Sequence, residues 1–504
     1  MKRIFAFTSA LIYVFASYSQ VDLEKIDQYF AQAQKDWKVP GMAIAVVKDG
    51  EIVLSKGYGN LSLNSKDPVT NETLFAIASN TKAFVASALA KLVAEGKIKW
   101  TDKVLDYLPY FELYDSYTTA HTTIEDLLCH RVGLGTFSGD MMWYKSELSA
   151  EEVIKKVKFV PQAYEFRAGY GYSNLMFITA GEVIKKVTGK EWSQYVKESF
   201  FDPLGMERTI TSTNDLNSKG NFALPHKPME NKQLVIDWVN WDNMGAAGGI
   251  ISSSNDMAKW MMMNIEHGIW DEDTIIDFEQ HNIIWTPHNN SKVTTNTNGK
   301  HFSGYGLGWG LSDYHGNMVA THGGGYDGMY SYQMLVPDQK LGIMVLTNTM
   351  KGIAWPIAQW TVDRYLNLEV KDYSKERLEA SKENKDQANE IDNRLEKRNK
   401  RIAPTLEKSA YAGTFYSGMH GTVMITLNGD GTYKMEFEDA PKLNATLTHW
   451  HYNIWQINWD ETHAWFDFGT VQFLLDNNLK VKGLQFDVPN GDIFFDEVNL
   501  EKVK

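Results

Sequence analysis

One cysteine, Cys129, stands in 504 residues, so no disulfide can form within the chain. Its setting, Leu127-Leu128-Cys129, reads as a buried helix, where a thiol packs as a small hydrophobe rather than acting as a nucleophile. Positive charge is also short. Fifty Lys and Arg face 63 Asp and Glu, and the net charge of −13 argues against nucleic acid or an anionic membrane as partner. Long apolar runs are missing beyond the N-terminus, so no later stretch can span a bilayer. No serine has glycine at both −2 and +2, which excludes the strained nucleophile elbow of the α/β-hydrolase fold. No glycine loop leads into Lys-Ser or Lys-Thr to cradle phosphate, and His449 and His451 lack ligands at metal spacing. The sequence calls for neither a metal nor an organic cofactor.

The N-terminus carries Lys2 and Arg3, an apolar run from Ile4 to Ala16, then Ser17 and Ser19. That order is that of a signal peptide over residues 1–19, and it predicts a periplasmic or secreted protein. A membrane anchor is the lesser alternative, because the run falls short of the roughly 20 residues a spanning helix needs. After signal removal no stable membrane insertion is expected.

At this length two or three structural units are expected. Met42 to Val47 and Ile52 to Gly57, split by Asp49-Gly50, predict a β-hairpin. Helical spacing begins near Ser79 and recurs at Thr123 to His130, Ala150 to Val157, Leu175 to Val187, Trp192 to Phe200 and Asp256 to Asn264. Strands are expected at Tyr305 to Leu311, Met318 to Thr321, Tyr330 to Val336 and Leu341 to Thr347. Strands at both ends with helices between predict a mixed α+β body over residues 20–370 whose sheet joins sequence-distant strands. Residues 371–408 are charged and read as a solvated linker or exposed helix. Residues 409–504 are β again, including a hairpin at Asn428-Gly429-Asp430-Gly431, and fit a small barrel or sandwich.

Three short motifs carry chemistry. In Ser79-Asn80-Thr81-Lys82 the two reactive residues lie three apart, on one helix face. A lysine whose pKa is lowered by burial and a helix N-terminus can take the proton of a serine hydroxyl. No other serine in the chain has lysine three residues on, and Ala76-Ile77-Ala78 is too apolar for an exposed cap. Tyr172-Ser173-Asn174 offers a phenol for proton relay and an amide for a substrate carbonyl or a lysine, with Tyr170 a rival for the phenol's role. His322-Gly323-Gly324-Gly325 places glycines on a strand, where a substrate backbone can approach and an N–H can complete an oxyanion hole.

Together, in this order and at these separations, the motifs resemble those of the serine β-lactamase and penicillin-binding-protein-like hydrolases, in particular the class C β-lactamase branch. Val39-Pro40-Gly41, Leu127-Leu128-Cys129-His130, Pro203-Leu204-Gly205-Met206 and Gly248-Gly249 add to the resemblance, which covers about Val21 to Leu368. The tail is similar to the lipocalin-like β domain of some of these hydrolases. The resemblance implies an antiparallel sheet with helices on both sides plus an all-helical lobe. It also implies an acyl-enzyme on Ser79, proton transfer by Lys82 and Tyr172, and substrate contacts from Asn174, His322 and Gly324. The N–H groups of Ser79 and Gly325 would form the oxyanion hole.

One departure bears on substrate. Lactamases of this type carry lysine where this chain has His322, and a neutral imidazole does not attract a drug's carboxylate. A D-amino-acid peptide or small ester is therefore expected as substrate ahead of a β-lactam, with an esterase or weak β-lactamase of the same family as the alternative. Two further readings stay open from sequence: a non-catalytic sensor that kept the fold, and a Ser-His pair using His322 as base with Lys82 incidental. The partner is a small molecule or peptide; oligomeric state is open.

Overall fold

The computed structural model describes residues 21–503 apart from 230–231, 292–298 and 384–385; the expected signal segment lies outside them. Asp49 and Gly50 both take positive φ, 54° and 82°, as a two-residue type I′ turn requires. They join β1 (Gly41–Lys48) to β2 (Glu51–Gly59). Every residue of β1 from Gly41 to Val47 is buried, because helices cover both faces of the sheet. Met42, Ile44 and Val46 pack toward α1 (Leu23–Asp36), while Ala43, Ala45 and Val47 turn to the opposite face.

Between the hairpin and the later strands lie α2 (Thr81–Ala94), a lobe of shorter helices, α3 (Asn174–Thr188) and α4 (Ser254–Ile265). Gly189 ends α3 in the left-handed conformation at φ 71°. Then come β3 (Asn289–Ser291), β4 (Ser303–Tyr305), β5 (Gly310–Tyr314), β6 (Asn317–Tyr326), β7 (Met329–Val336) and β8 (Leu341–Thr347). Helix α5 (Ala354–Tyr365) returns to pack beside α1. The sheet runs β2–β1–β8–β7–β6–β5–β4–β3, antiparallel throughout, so the first hairpin sits against the last strand as expected.

Two expectations need correction. Tyr305 to Leu311 is two strands rather than one, broken at residues 306–309. Gly308 takes φ 75° there, and a Cβ on it would meet the Lys82 carbonyl oxygen at 2.7 Å, so glycine lets this turn touch α2. The helix from Trp192 holds α geometry only to Val196 and continues as a π-turn over Lys197–Phe201.

Residues 371–408 contain two helices, Tyr373–Glu383 and Asp386–Lys397. The first is tied to α1 by hydrogen bonds from Tyr29 Oη to Asp372 (2.9 Å) and from Trp37 Nε1 to Ser374 Oγ (2.9 Å). The remaining chain closes an eight-stranded barrel from Gly413–Ser417 round to Leu500–Lys502. Aromatic rings fill its bore: Trp455 lies 4.6 Å from Tyr411 and 4.7 Å from Phe473, centroid to centroid. A bore packed with side chains leaves the rim loops as the part able to act on a neighbour.

Those loops are clamped to the first domain. The buried Lys227 ammonium donates to the carbonyls of His463 and Phe466 and to Asp467 Oδ1 at 2.6 Å. Lys145 donates to the Thr462 carbonyl at 3.1 Å, and Tyr144 packs against Phe466. On the next loop, Glu497 accepts from the Ser138 hydroxyl and from the Gly139 N–H at 2.7 Å. One continuous apolar core runs from the first domain into the barrel.

Candidate active site

Ser79 stands where a short strand, Phe75–Ala76, turns into α2. The residue before it, Ala78, is held at φ 48°, a left-handed conformation that costs a non-glycine residue about 1–3 kcal/mol. Ser331 on β7 secures the turn: its hydroxyl donates to the Ile77 carbonyl at 2.7 Å and accepts from Asn80 Nδ2 at 2.8 Å. Gly324 on β6 packs directly on the same turn. A Cβ there would lie 2.2 Å from the Ile77 carbonyl oxygen, so only glycine allows this strand to reach Ser79.

Helix α2 is apolar on nearly all sides and buried from Thr81 through Ala90, which carries Lys82 into the interior with it. Lys82 Nζ lies 2.7 Å from Asn174 Oδ1, 2.7 Å from the Ala247 carbonyl oxygen and 3.1 Å from Ser79 Oγ. Desolvation lowers its pKa to about 7, against the opposing pull of Asp140. A neutral amine has two N–H groups and one lone pair. Two fixed acceptors engage the N–H groups, which leaves the lone pair directed at the Ser79 hydroxyl.

Asn174, the first residue of α3, joins two ionisable groups: it accepts from Lys82 and donates through Nδ2 to Asp140 Oδ2 at 2.6 Å. Asp140 also accepts from Trp143 Nε1 at 2.9 Å, and burial raises its pKa to about 7. Lys82 and Asp140, linked through the Asn174 amide, thus both titrate near neutrality. Activity that needs the neutral lysine rises with pH through about 7. Removing the Asp140 charge withdraws the influence that keeps Lys82 protonated, so Asp140→Asn is expected to move the acid limb of kcat/KM to lower pH. A pH–rate profile of both proteins checks this, and a shift to higher pH contradicts it.

Tyr172 lies beside Ser79, which opposes the rise of its pKa, and its ring centroid is 4.8 Å from Lys82 Nζ. Burial holds its pKa well above 10, so it stands as a neutral phenol able to donate. The rival Tyr170 is more exposed and packs against His130 and Tyr305.

His322 lines the same cleft but is occupied elsewhere. Its Nε2 pairs with the Tyr305 hydroxyl at 2.8 Å and its Nδ1 with the Gly323 carbonyl at 2.6 Å, an arrangement that assigns the proton to Nδ1. Burial first, then the neighbouring Lys82, lowers its pKa to about 3. It carries no positive charge at neutral pH, and neither ring nitrogen is free to serve Ser79. Tyr326 and Met329 flank a two-residue hairpin loop, which makes them a hydrogen-bonded pair. By alternation Gly325, opposite Tyr330, is a non-bonded position whose N–H points away from β7. The partner strand β5 pairs with β6 only as far as Thr321, so His322 to Tyr326 present a free edge to the cleft.

Ser79, Lys82, Tyr172, Asn174, His322, Gly324 and Gly325 therefore converge. Cys129 does not take part; it is buried, and desolvation pushes its thiol pKa up. The cleft, about 620 Å³, is walled by Trp143, Trp241, Tyr330, Trp355 and, from the barrel, Trp465 and Asp492. Asp140, Tyr305 and the barrel residues carry no local signature in the sequence, since each acts only through a contact made by folding.

A serine on a strained turn, a buried lysine within hydrogen-bond distance of it and a free strand edge on an antiparallel sheet match the architecture of the transpeptidase-like serine hydrolases. Residues 26–366 match the family model described as Beta-lactamase, and the chain belongs to that family. Residues 397–502 match a domain of unknown function, DUF3471. The chain is 31% identical to an unguisins hydrolase of Aspergillus campestris, over 65% of this chain and 62% of that protein. It is 26% identical to the protein flp of Staphylococcus aureus, over 64% and 63%. It thus spans a little over three-fifths of these curated relatives' lengths. Among solved structures, the octameric penicillin-binding protein homologue from Pyrococcus abyssi superimposes with TM-score 0.62 at 21% identity, covering 95% of this chain and 100% of that one. D-amino acid amidase from Ochrobactrum anthropi superimposes with TM-score 0.55 at 25% identity, covering 68% and 98%.

Proposed function

We propose that this protein is an exported serine hydrolase that cleaves amide or ester bonds through an acyl-enzyme on Ser79. The observation that carries the reading is the Lys82 amine, desolvated to a pKa of about 7 and wedged between two fixed acceptors beside the nucleophile. Lys82 takes the Ser79 proton as Oγ attacks the substrate carbonyl carbon. The carbonyl oxygen becomes an oxyanion, and the Ser79 and Gly325 N–H groups receive it. Tyr172 donates a proton to the leaving nitrogen or oxygen and regains one from the Lys82 ammonium. Water then attacks the ester carbonyl, gives its proton back to the same pair, and releases the acid and Ser79.

D-amino-acid peptides or amides, and small esters, are the proposed substrates ahead of β-lactams. The neutral His322 supports this, since it offers no charge to a drug's carboxylate. So does the likeness to a D-amino acid amidase and to an enzyme named for hydrolysing unguisins. A non-catalytic sensor has no physical need for the Lys82 environment. Export rests on the N-terminal charged, apolar and small-residue order. Among the described residues no helix is long and apolar enough to cross a membrane.

Intact-mass spectrometry after exposure to a fluorophosphonate probe tests the reading. One adduct is expected on the wild type and none on Ser79→Ala. No adduct on either protein removes the activated serine, and efficient cephalosporin turnover overturns the substrate preference.

A further inference from the structure

A proton donor works only when its hydroxyl is held in one place, and Tyr172 lies in irregular chain just before α3. That chain is gripped by a single residue, His130. Its carbonyl oxygen accepts from the Gly171 N–H at 3.1 Å, and its Nδ1 accepts from the Ser173 N–H at 3.1 Å. The residues on either side of Tyr172 are thus tied to the same partner, one to its backbone and one to its ring. The ring also packs on the Tyr172 phenol, with centroids 4.3 Å apart. Tyr172's own N–H donates to Thr136 Oγ1 at 3.1 Å, and its carbonyl accepts from the Phe137 N–H at 2.9 Å.

His130 holds this post under strain. It takes φ 60°, a left-handed conformation that residues other than glycine seldom adopt. Its carbonyl receives two further bonds, from Tyr164 Oη at 2.9 Å and Asn289 Nδ2 at 3.2 Å. The side chain is fully buried, and Nε2 has no hydrogen-bond partner among the described residues. Strain and an orphaned buried polar atom persist only where the surroundings over-determine them, and both cluster at functional sites. Burial first, then Lys82 and His322, holds the imidazole well below the ordinary histidine pKa, so the ring is neutral. A neutral ring whose Nδ1 accepts carries its proton on Nε2, here beside the rings of Tyr172, Tyr305 and Phe177. His130 does not line the cleft, so its influence on a reaction passes through a neighbour.

We infer that His130 is a positioning residue for the leaving-group acid, its Nδ1 fixing the Tyr172 phenol where it can protonate the departing atom. The inference rests on the hydrolase reading above and adds to it the device that sets how poor a leaving group can be expelled. As the C–O or C–N bond of the tetrahedral intermediate breaks, its electron pair stays on the leaving atom and takes the Tyr172 proton. A displaced phenol forces that group to leave as an anion.

Two esters, p-nitrophenyl acetate and trifluoroethyl acetate, form the same acetyl-enzyme and differ only in the group expelled. p-Nitrophenolate leaves without a proton, whereas the more basic trifluoroethoxide needs one. The ratio of their kcat/KM values therefore reads acid assistance, while fluorophosphonate labelling, which expels fluoride, reads the nucleophile. His130→Gly and His130→Asn both accept positive φ, but only asparagine offers an oxygen to the Ser173 N–H. The glycine variant is expected to raise the preference for the p-nitrophenyl ester by about 10–100-fold, toward the value of Tyr172→Phe, as a misplaced catalytic group does. The asparagine variant is expected to restore the wild-type ratio. A purely structural role slows labelling and both esters together and leaves the ratio unchanged. Should the glycine variant fail to fold, His130→Phe, which keeps a ring and loses the acceptor, takes its place; if both lose the fold, the role is structural and the inference falls. A wild-type ratio in the variant lacking the acceptor, or an asparagine variant no better than it, overturns the inference. So does a wild type that takes up the fluorophosphonate but cleaves neither ester or discriminates as strongly as Tyr172→Phe, and in each of these cases the hydrolase reading stands. Failure of the wild type to form the Ser79 adduct overturns both.

Discussion

Lys82→Ala is expected to lower the rate of Ser79 acylation by about 10²–10⁴-fold, the span that a positioned general base contributes. His322→Ala should stay within about tenfold of the wild type. Release of p-nitrophenol from an activated acetate ester, followed under single-turnover conditions, measures both. The contrast follows from the hydrogen bonds: Lys82 Nζ touches Ser79 Oγ, whereas both His322 nitrogens are engaged by Tyr305 and the Gly323 carbonyl. A histidine with its pKa near 3 is also too weak a base to ionise a hydroxyl. Loss of acylation confined to the histidine variant would defeat the lysine mechanism and restore the Ser-His alternative.

Ending the chain at residue 408 is expected to cost nearly all soluble, active protein. The barrel covers Tyr144 through Phe466 and His463, satisfies the buried Lys227, and caps the Ser138-Gly139 turn through Glu497. Without it Lys227 loses its acceptors on the barrel loop, and the apolar core shared with the barrel is left open to water, which removes stabilisation in proportion to the apolar area exposed. Expression of residues 20–408, with size-exclusion chromatography, dye binding to exposed apolar surface and a thermal melt, provides the test. A monodisperse fragment with wild-type kcat/KM would mean that the barrel is an independent appendage.

The main lines of the fold were readable because the periods are strong. Asp49-Gly50 between two apolar runs, Gly189 after an apolar helix, and the paired runs Tyr330 to Val336 and Leu341 to Thr347 each carry a local signal that folding preserves. The break at residues 306–309 was hidden, since a glycine needed for close approach to α2 looks the same in sequence as a tolerated one. Among site residues, Ser79, Lys82, Tyr172, Asn174 and His322 announce themselves through spacing. Asp140 sits in Gly139-Asp140-Met141-Met142 without any pattern, and its importance comes from Asn174, 34 residues away. Trp465 and Asp492 are further out of reach: they belong to a different domain and enter the cleft only because Lys227 and Lys145 hold the first loop and Ser138 and Gly139 hold the second through Glu497.

The unpaired stretch of β6 has a second side to it. An open strand edge is a template on which any extended chain, including another copy of the same protein, can add a strand. Here that edge carries three successive glycines, with no side chain to repel a newcomer, and natural edges are usually guarded by charge, proline or a bulge. This one is guarded by depth, since it lies inside a cleft whose rim includes Trp465. The same enclosure that admits one short backbone at a time denies entry to a long sheet. Self-association should therefore track the integrity of the rim, so that variants which loosen the Trp465 loop would aggregate through the very strand that is otherwise enclosed.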